Sequence, residues 1–125
     1  MSLSMKAHLN LEELAATIRS FTAERDWDQF HSPKNLAASL SIESAELLEI
    51  FQWIKEQDSH QIMQNPEKAS QVKDELADVF YYLIRMADIL EVDLESALKS
   101  KMHQNAEKYP VARSKGNAKK YTDFK

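Results

Sequence analysis

Two stretches, 32–55 and 66–91, repeat apolar residues at helical spacing. Into each is set a pair of carboxylates three residues apart: Glu43 and Glu46 in the first, Glu75 and Asp78 in the second. On a helix such pairs share one face, one above the other. Glu43 falls in the middle of the stripe Leu36, Leu40, Leu47, Ile50, Ile54, and Glu46 has Ile42 and Ile50 one turn away on either side. A carboxylate on an apolar stripe is costly unless it is paired or holds a metal. Any fold this chain adopts must therefore give these four acids company. An antiparallel helix pair does so by turning them toward each other, in an all-oxygen pocket of the kind that hard cations such as Mg²⁺ prefer.

Composition closes several other routes. The one glycine, Gly116, lies near the C-terminal end, so no glycine-rich phosphate loop can form. With no cysteine there is no disulfide framework, no thiol nucleophile and no thiolate zinc site. No apolar run approaches membrane-spanning length, and nothing at the start reads as a signal peptide, so a cytoplasmic location without membrane partners is the expectation. Met1-Ser2-Leu3 is compatible with an addition ahead of the native start. The 125 residues suffice for one domain with a single core, a helical core over 10–109 and a basic tail over 110–125. The net charge of −4 divides unevenly: the tail holds Arg113, Lys115, Lys119, Lys120 and Lys125 against Asp123 alone, leaving an acidic body. An acidic body argues against a nucleic-acid surface there. The tail reads either as a solvated terminus or as a cationic strap over a phosphate chain.

Capping signals divide the chain into four helices. Asn10 starts the first, Leu11–Arg25, with Glu13 completing a capping-box-like start. Ser32-Pro33 and Asn65-Pro66 open the second (Pro33–Lys55) and third (Pro66–Glu91), proline standing where its missing N–H costs nothing. Asp93 caps the fourth, Leu94–Lys108, with Ala97, Leu98 and Met102 expected inward, and Pro110 ends it. The third helix places Val72, Leu76, Val79, Phe80, Leu83, Met86, Ala87 and Leu90 on its main stripe, with Tyr81 and Ile84 on the far side. Apolar surface on two faces suits a central helix or a subunit interface. The connection Asp26–His31 is rich in aromatics: a hydrophobic plug under a turn, or an aromatic wall for a flat ligand. The expected architecture is an all-α four-helix bundle with an extended C-terminal tail.

The ligand set limits the chemistry. Di-iron bundles need Glu-x-x-His pairs, and none of His8, His31, His60 and His103 follows a glutamate of the central helices at that spacing. Carboxylates without imidazole favour Mg²⁺ or Mn²⁺, ions suited to phosphoryl or nucleotidyl chemistry. Two readings stand side by side. One is a Mg²⁺-dependent enzyme acting on a phosphate chain. The other is a non-catalytic helical interaction protein whose acids form ion pairs and whose aromatic residues form a dimer interface.

Longer strings are more specific: Glu24-Arg25-Asp26-Trp27-Asp28-Gln29-Phe30-His31, Pro33-Lys34-Asn35-Leu36, Glu46-Leu47-Leu48-Glu49-Ile50-Phe51-Gln52-Trp53, Asp74-Glu75-Leu76-Ala77-Asp78-Val79 and Lys101-Met102-His103-Gln104-Asn105-Ala106-Glu107-Lys108-Tyr109-Pro110. With the tail around Lys120-Tyr121, they make the chain similar to the all-α nucleoside triphosphate pyrophosphatases, the MazG-like superfamily, and within it to the dCTP pyrophosphatase branch. The resemblance implies hydrolysis of a (deoxy)nucleoside triphosphate, dCTP or a modified dCTP among them, to monophosphate and pyrophosphate. It implies Glu43, Glu46, Glu75 and Asp78 as Mg²⁺ ligands and catalytic acids. It implies Trp27, His31, Trp53 and Tyr82 as the substrate pocket, Asn105, Lys108 and Tyr109 as further substrate contacts, and a homodimer or homotetramer. The chain departs from the animal enzymes of that branch at Ile18, where they carry a histidine. Physically, two tryptophan rings can sandwich a base, and the Tyr82 hydroxyl, one turn beyond Asp78, can reach a sugar or phosphate.

Overall fold

A computed structural model describes residues 9–124; Met1-Ser2-Leu3, His8 and Lys125 lie outside the described residues. The secondary structure is helical, with no strand among the described residues. Four long helices carry the fold: α1 Leu11–Glu24, α2 Pro33–Phe51, α3 Pro66–Ile89 and α4 Leu94–Lys108. All four start as their caps dictate. The side chains of Asn10, Ser32, Asn65 and Asp93 each accept a hydrogen bond from the backbone N–H three residues on, at 3.1 Å. That satisfies one of the amides a helix start leaves unpaired.

The helix ends were less legible. α2 stops at Phe51 rather than Lys55, and the stretch between it and α3 holds a one-turn helix, Glu56–Ser59, and a 3-10 turn, Ile62–Gln64. Polar residues without a periodic apolar face still form single turns when tertiary contacts hold their ends. Asp26, at φ 53, closes α1 in the left-handed region that aspartate tolerates, and Glu91, at φ 57, closes α3.

The chain divides into two compact units at Glu91 and Val92. In the first, α2 lies along α3, and α1 packs on α3 as well. The α2–α3 pair is antiparallel: His31, just before α2, meets Arg85 near the end of α3, whereas Ile50 near the end of α2 shares a groove with Lys68 and Gln71 near the start of α3. The centre is formed by Leu36, Ala69, Val72, Ile84 and Ala87, with Thr22 and Arg85 buried among them. Leu36 is 1% exposed, and Leu40, Glu43, Leu47, Ile50 and Ile54 are half-buried, so the α2 stripe faces inward. On α3 the main stripe is covered unevenly, with Val79 and Met86 half-buried and Leu90, at its end, exposed. Val72 and Ala87 are buried, but Leu76, Phe80 and Leu83 between them are exposed. Ile84, expected on an uncovered far side, is core, and Tyr81 leans edge-on against Phe21 of α1. α1 accounts for this reversal by covering the side of α3 that periodicity alone leaves bare.

In the second unit, Ala97, Leu98 and Met102 of α4 are exposed rather than inward. The tail is more ordered than an extended strap. It forms one helical turn at Val111–Ser114 and a 3-10 turn at Tyr121–Asp123. Tyr109 meets Tyr121 and Phe124 edge-on at 6.0 and 5.9 Å, and Lys108 Nζ stands 5.0 Å from the centre of the Tyr121 ring. Aromatic contacts thus fold the tail back onto the end of α4.

Candidate functional site

The acids meet as the helix pair dictates. Glu43 of α2 and Glu75 and Asp78 of α3 each offer one carboxylate oxygen, all within 4.8 Å of one another. Glu43 Oε2 and Glu75 Oε2 are shut off from solvent and have no hydrogen-bond partner among the described residues. Two sealed, unpartnered carboxylate oxygens are expensive, and their electrostatic demand is for a cation. The consequence shows on Glu43, whose carboxyl is pushed up from its ordinary 4.5 to about 7. Burial is the main cause; next come the adjoining carboxyls of Glu75 and Glu46, which favour a shared proton, and the negative charges of Glu46 and Asp78. The donor set is oxygen only, and it fits a hard divalent ion such as Mg²⁺.

Glu46 stands slightly apart. It is outside the tight triad but beside Glu43, and lines an open groove with Glu49, Ile50, Lys68, Gln71 and Glu75. Lys68, which sequence patterning did not single out, brings a positive charge to the rim of this acid groove.

A second group of side chains lies further along α3. Glu75, Asp78, Tyr82 and Arg85 follow at spacings of three, four and three, so they share one face. Arg85 is seven residues beyond Asp78, about 10 Å along the axis. Its buried guanidinium donates from Nη2 to Asp28 Oδ1 at 2.8 Å and from Nε to His31 Nδ1 at 3.1 Å. Its Nη1 is 3.9 Å from Asp88 Oδ2, which also accepts from Arg19 Nε at 2.7 Å. His31 Nδ1 is therefore an acceptor, and the ring's proton sits on Nε2. Burial and the Arg85 charge hold the His31 pKa below its ordinary value, partly offset by Asp28. Sequence reading missed Arg85; the available signal was a charge lodged between the apolar positions Ile84 and Ala87.

The aromatic residues separate. Trp27 and Phe30 are exposed, so the 26–31 connection is no hydrophobic plug. The Trp27 ring rests edge-on against Phe21 at 5.6 Å, and Tyr82 is half-buried beside Tyr81. Trp53, by contrast, is 87% exposed. It follows the end of α2 while Trp27 precedes its start, and the 19 residues between Pro33 and Phe51 span about 28 Å of helix. One protomer cannot close both rings on one base, so the expected sandwich does not form within a chain. Asn105, Lys108 and Tyr109 belong to the second unit, at the end of α4.

The chain is similar to several known proteins. Residues 38–124 match the MazG-like family. The dCTP pyrophosphatase 1 of Rattus norvegicus is 42% identical over 114 residues, covering 91% of this chain and 67% of its own. The dCTP pyrophosphatase 1 of Homo sapiens is 38% identical over the same shares. A crystal structure of a pyrophosphatase from Archaeoglobus fulgidus superposes with a TM-score of 0.76 at 42% identity, covering 82% of this chain and 94% of its own.

Proposed function

The chain belongs to the MazG-like family, and we propose that it is a nucleoside triphosphate pyrophosphohydrolase, dependent on Mg²⁺ with Mn²⁺ as a substitute. Its substrate is a (deoxy)nucleoside triphosphate, with dCTP or a modified dCTP the first candidate, and its role is to clear such nucleotides from the pool. One observation carries the reading: Glu43, Glu75 and Asp78 converge within 4.8 Å with two carboxylate oxygens sealed and unpartnered. Among the described residues no ion pair involves Glu43, Glu75 or Asp78, which speaks against the non-catalytic alternative of ion pairing on a solvated helix face.

Glu43, Glu75 and Asp78 would hold the ion, and Glu46 beside them completes the ligand set or takes the proton of the attacking water. When bound, Mg²⁺ neutralises triphosphate oxygens and acidifies a water. With the triphosphate at the acids, the nucleoside extends along the α3 face toward Tyr82 and His31. Trp27 supplies an exposed ring for stacking on the base, and His31 a donor at Nε2. Asn105, Lys108 and Tyr109 of the second unit carry polar and cationic groups of the kind that bind a triphosphate. Attack at the α-phosphorus releases pyrophosphate and leaves the monophosphate.

Trp53 and the exposed row Leu76, Phe80 and Leu83 form apolar surface that a second copy covers, giving a homodimer or homotetramer. No helix of the described residues is long and apolar enough to cross a membrane.

The test is a panel of nucleoside triphosphates with Mg²⁺ and with EDTA, products separated by ion exchange. Monophosphate plus pyrophosphate, abolished by EDTA, is expected. Orthophosphate plus diphosphate, or full activity in EDTA, would overturn the mechanism.

A further inference from the structure

We propose that Arg85 is a positioning residue for nucleoside recognition: by donating its Nε–H to Nδ1 of His31, it compels that ring to present a hydrogen-bond donor, and no acceptor, at Nε2. The inference rests on the proposed placement of the nucleoside beside His31.

The arrangement is over-determined for a merely structural arginine. A buried guanidinium needs acceptors, and Asp28 and Asp88 already supply carboxylates of opposite charge. Its Nε is nevertheless aligned on a histidine nitrogen at 3.1 Å. A neutral imidazole carries one proton, so an Nδ1 that accepts leaves the proton on Nε2. The reverse tautomer would bring two N–H groups face to face at that distance.

Arg85 is well placed for the task. It is 6% exposed and gripped through separate nitrogens, so its fork has little freedom. Through Asp28 and His31 it ties both sides of the 3-10 turn Asp28–Phe30 to α3. That turn follows directly on Trp27, so the stacking ring and the donor are referenced to the same helix that carries Glu75 and Asp78. The pocket thereby selects a nucleoside with an acceptor, such as a ring carbonyl oxygen, at the position His31 faces. His31 alone would leave the ring free to turn and offer either polarity.

The experiment compares wild type with Arg85→Gln, His31→Ala and the double variant, using the best triphosphate of the panel. Arg85→Gln should raise KM roughly three- to tenfold, the loss of one ordinary hydrogen bond. It should leave kcat within about twofold and metal-ion affinity without nucleotide unchanged. The double variant should lose clearly less than the two single losses combined, because Arg85 acts largely through His31. Independent, additive losses, or an unchanged KM in Arg85→Gln, would overturn the proposal. If Arg85→Gln does not fold, Asp28→Asn loosens the same anchor from the exposed side; KM should rise in the same direction, and a parent-like KM would overturn the assignment. Nitrogen-15 NMR of His31 in the nucleotide-free protein separates this inference from the activity itself. A proton on Nε2 at pH 7, with an Nδ1 resonance that moves in Arg85→Gln, supports it. A proton on Nδ1 overturns it even in an active enzyme. Failure of the wild type to hydrolyse any triphosphate would overturn the proposed function and leave the NMR result to decide the role of Arg85.

Discussion

Replacing Glu43 by glutamine should stabilise the metal-free protein while destroying its response to metal. Folded, the Glu43 carboxyl releases its proton only near pH 7; its ordinary value is 4.5. Between those values the folded chain binds more protons than the unfolded one. Its contribution is therefore fully favourable below about pH 4.5 and is lost as pH rises through about 7. At 1.36 kcal/mol per pH unit the interval sets a ceiling of about 3 kcal/mol. The group is only half-buried, and water screens it, so about 1 kcal/mol is the working figure. Glutamine removes that charge and can donate its amide to the sealed Glu75 oxygen. In EDTA at pH 8, Glu43→Gln should melt roughly 3–5 °C above wild type, as about 1 kcal/mol does in a domain of this size. The advantage should vanish by about pH 4.5, where both side chains are neutral. With Mg²⁺ the order should reverse, because only wild type gains binding free energy from the ion. Differential scanning fluorimetry over pH 4.5–8.5, with and without Mg²⁺, reads all of this. A variant less stable than wild type in EDTA at pH 8, or a difference independent of pH, would refute the crowded-acid account.

Three further outcomes follow from the same geometry. Glu46→Gln and Asp78→Asn should each lower pyrophosphate release by roughly two or more orders of magnitude, as loss of a charge-stabilising group does elsewhere, with the helical circular dichroism retained. Trp27→Ala should raise KM roughly fivefold or more, the loss of ~1–3 kcal/mol of stacking, while leaving metal-ion affinity intact; a parent-like KM would make the ring structural. Sedimentation at micromolar concentration should show a particle larger than the 14.4 kDa chain, and Leu76→Glu with Phe80→Glu should dissociate it.

Local chemistry in the sequence decided a great deal. Four cap residues, two of them followed by proline, set where α1 to α4 begin, because an unpaired amide is satisfied by the side chain three residues back. The acid spacing on α2 and α3, with Glu43 on an apolar stripe, marked the carboxylate site, because helical periodicity places i and i+3 on one face. Tertiary structure decided what no periodicity encodes. It chose which side of α3 is covered: α1 meets it through Phe21–Tyr81 and Arg19–Asp88, Ile84 is buried, and Leu76, Phe80 and Leu83 stay bare. It separated Trp27 from Trp53 by the length of α2, folded the tail back through Tyr109, Tyr121 and Phe124, and brought Arg85 to His31 across 54 residues of chain. Such contacts depend on which surfaces meet once the helices exist, and the one-dimensional pattern of a single helix records only its own faces.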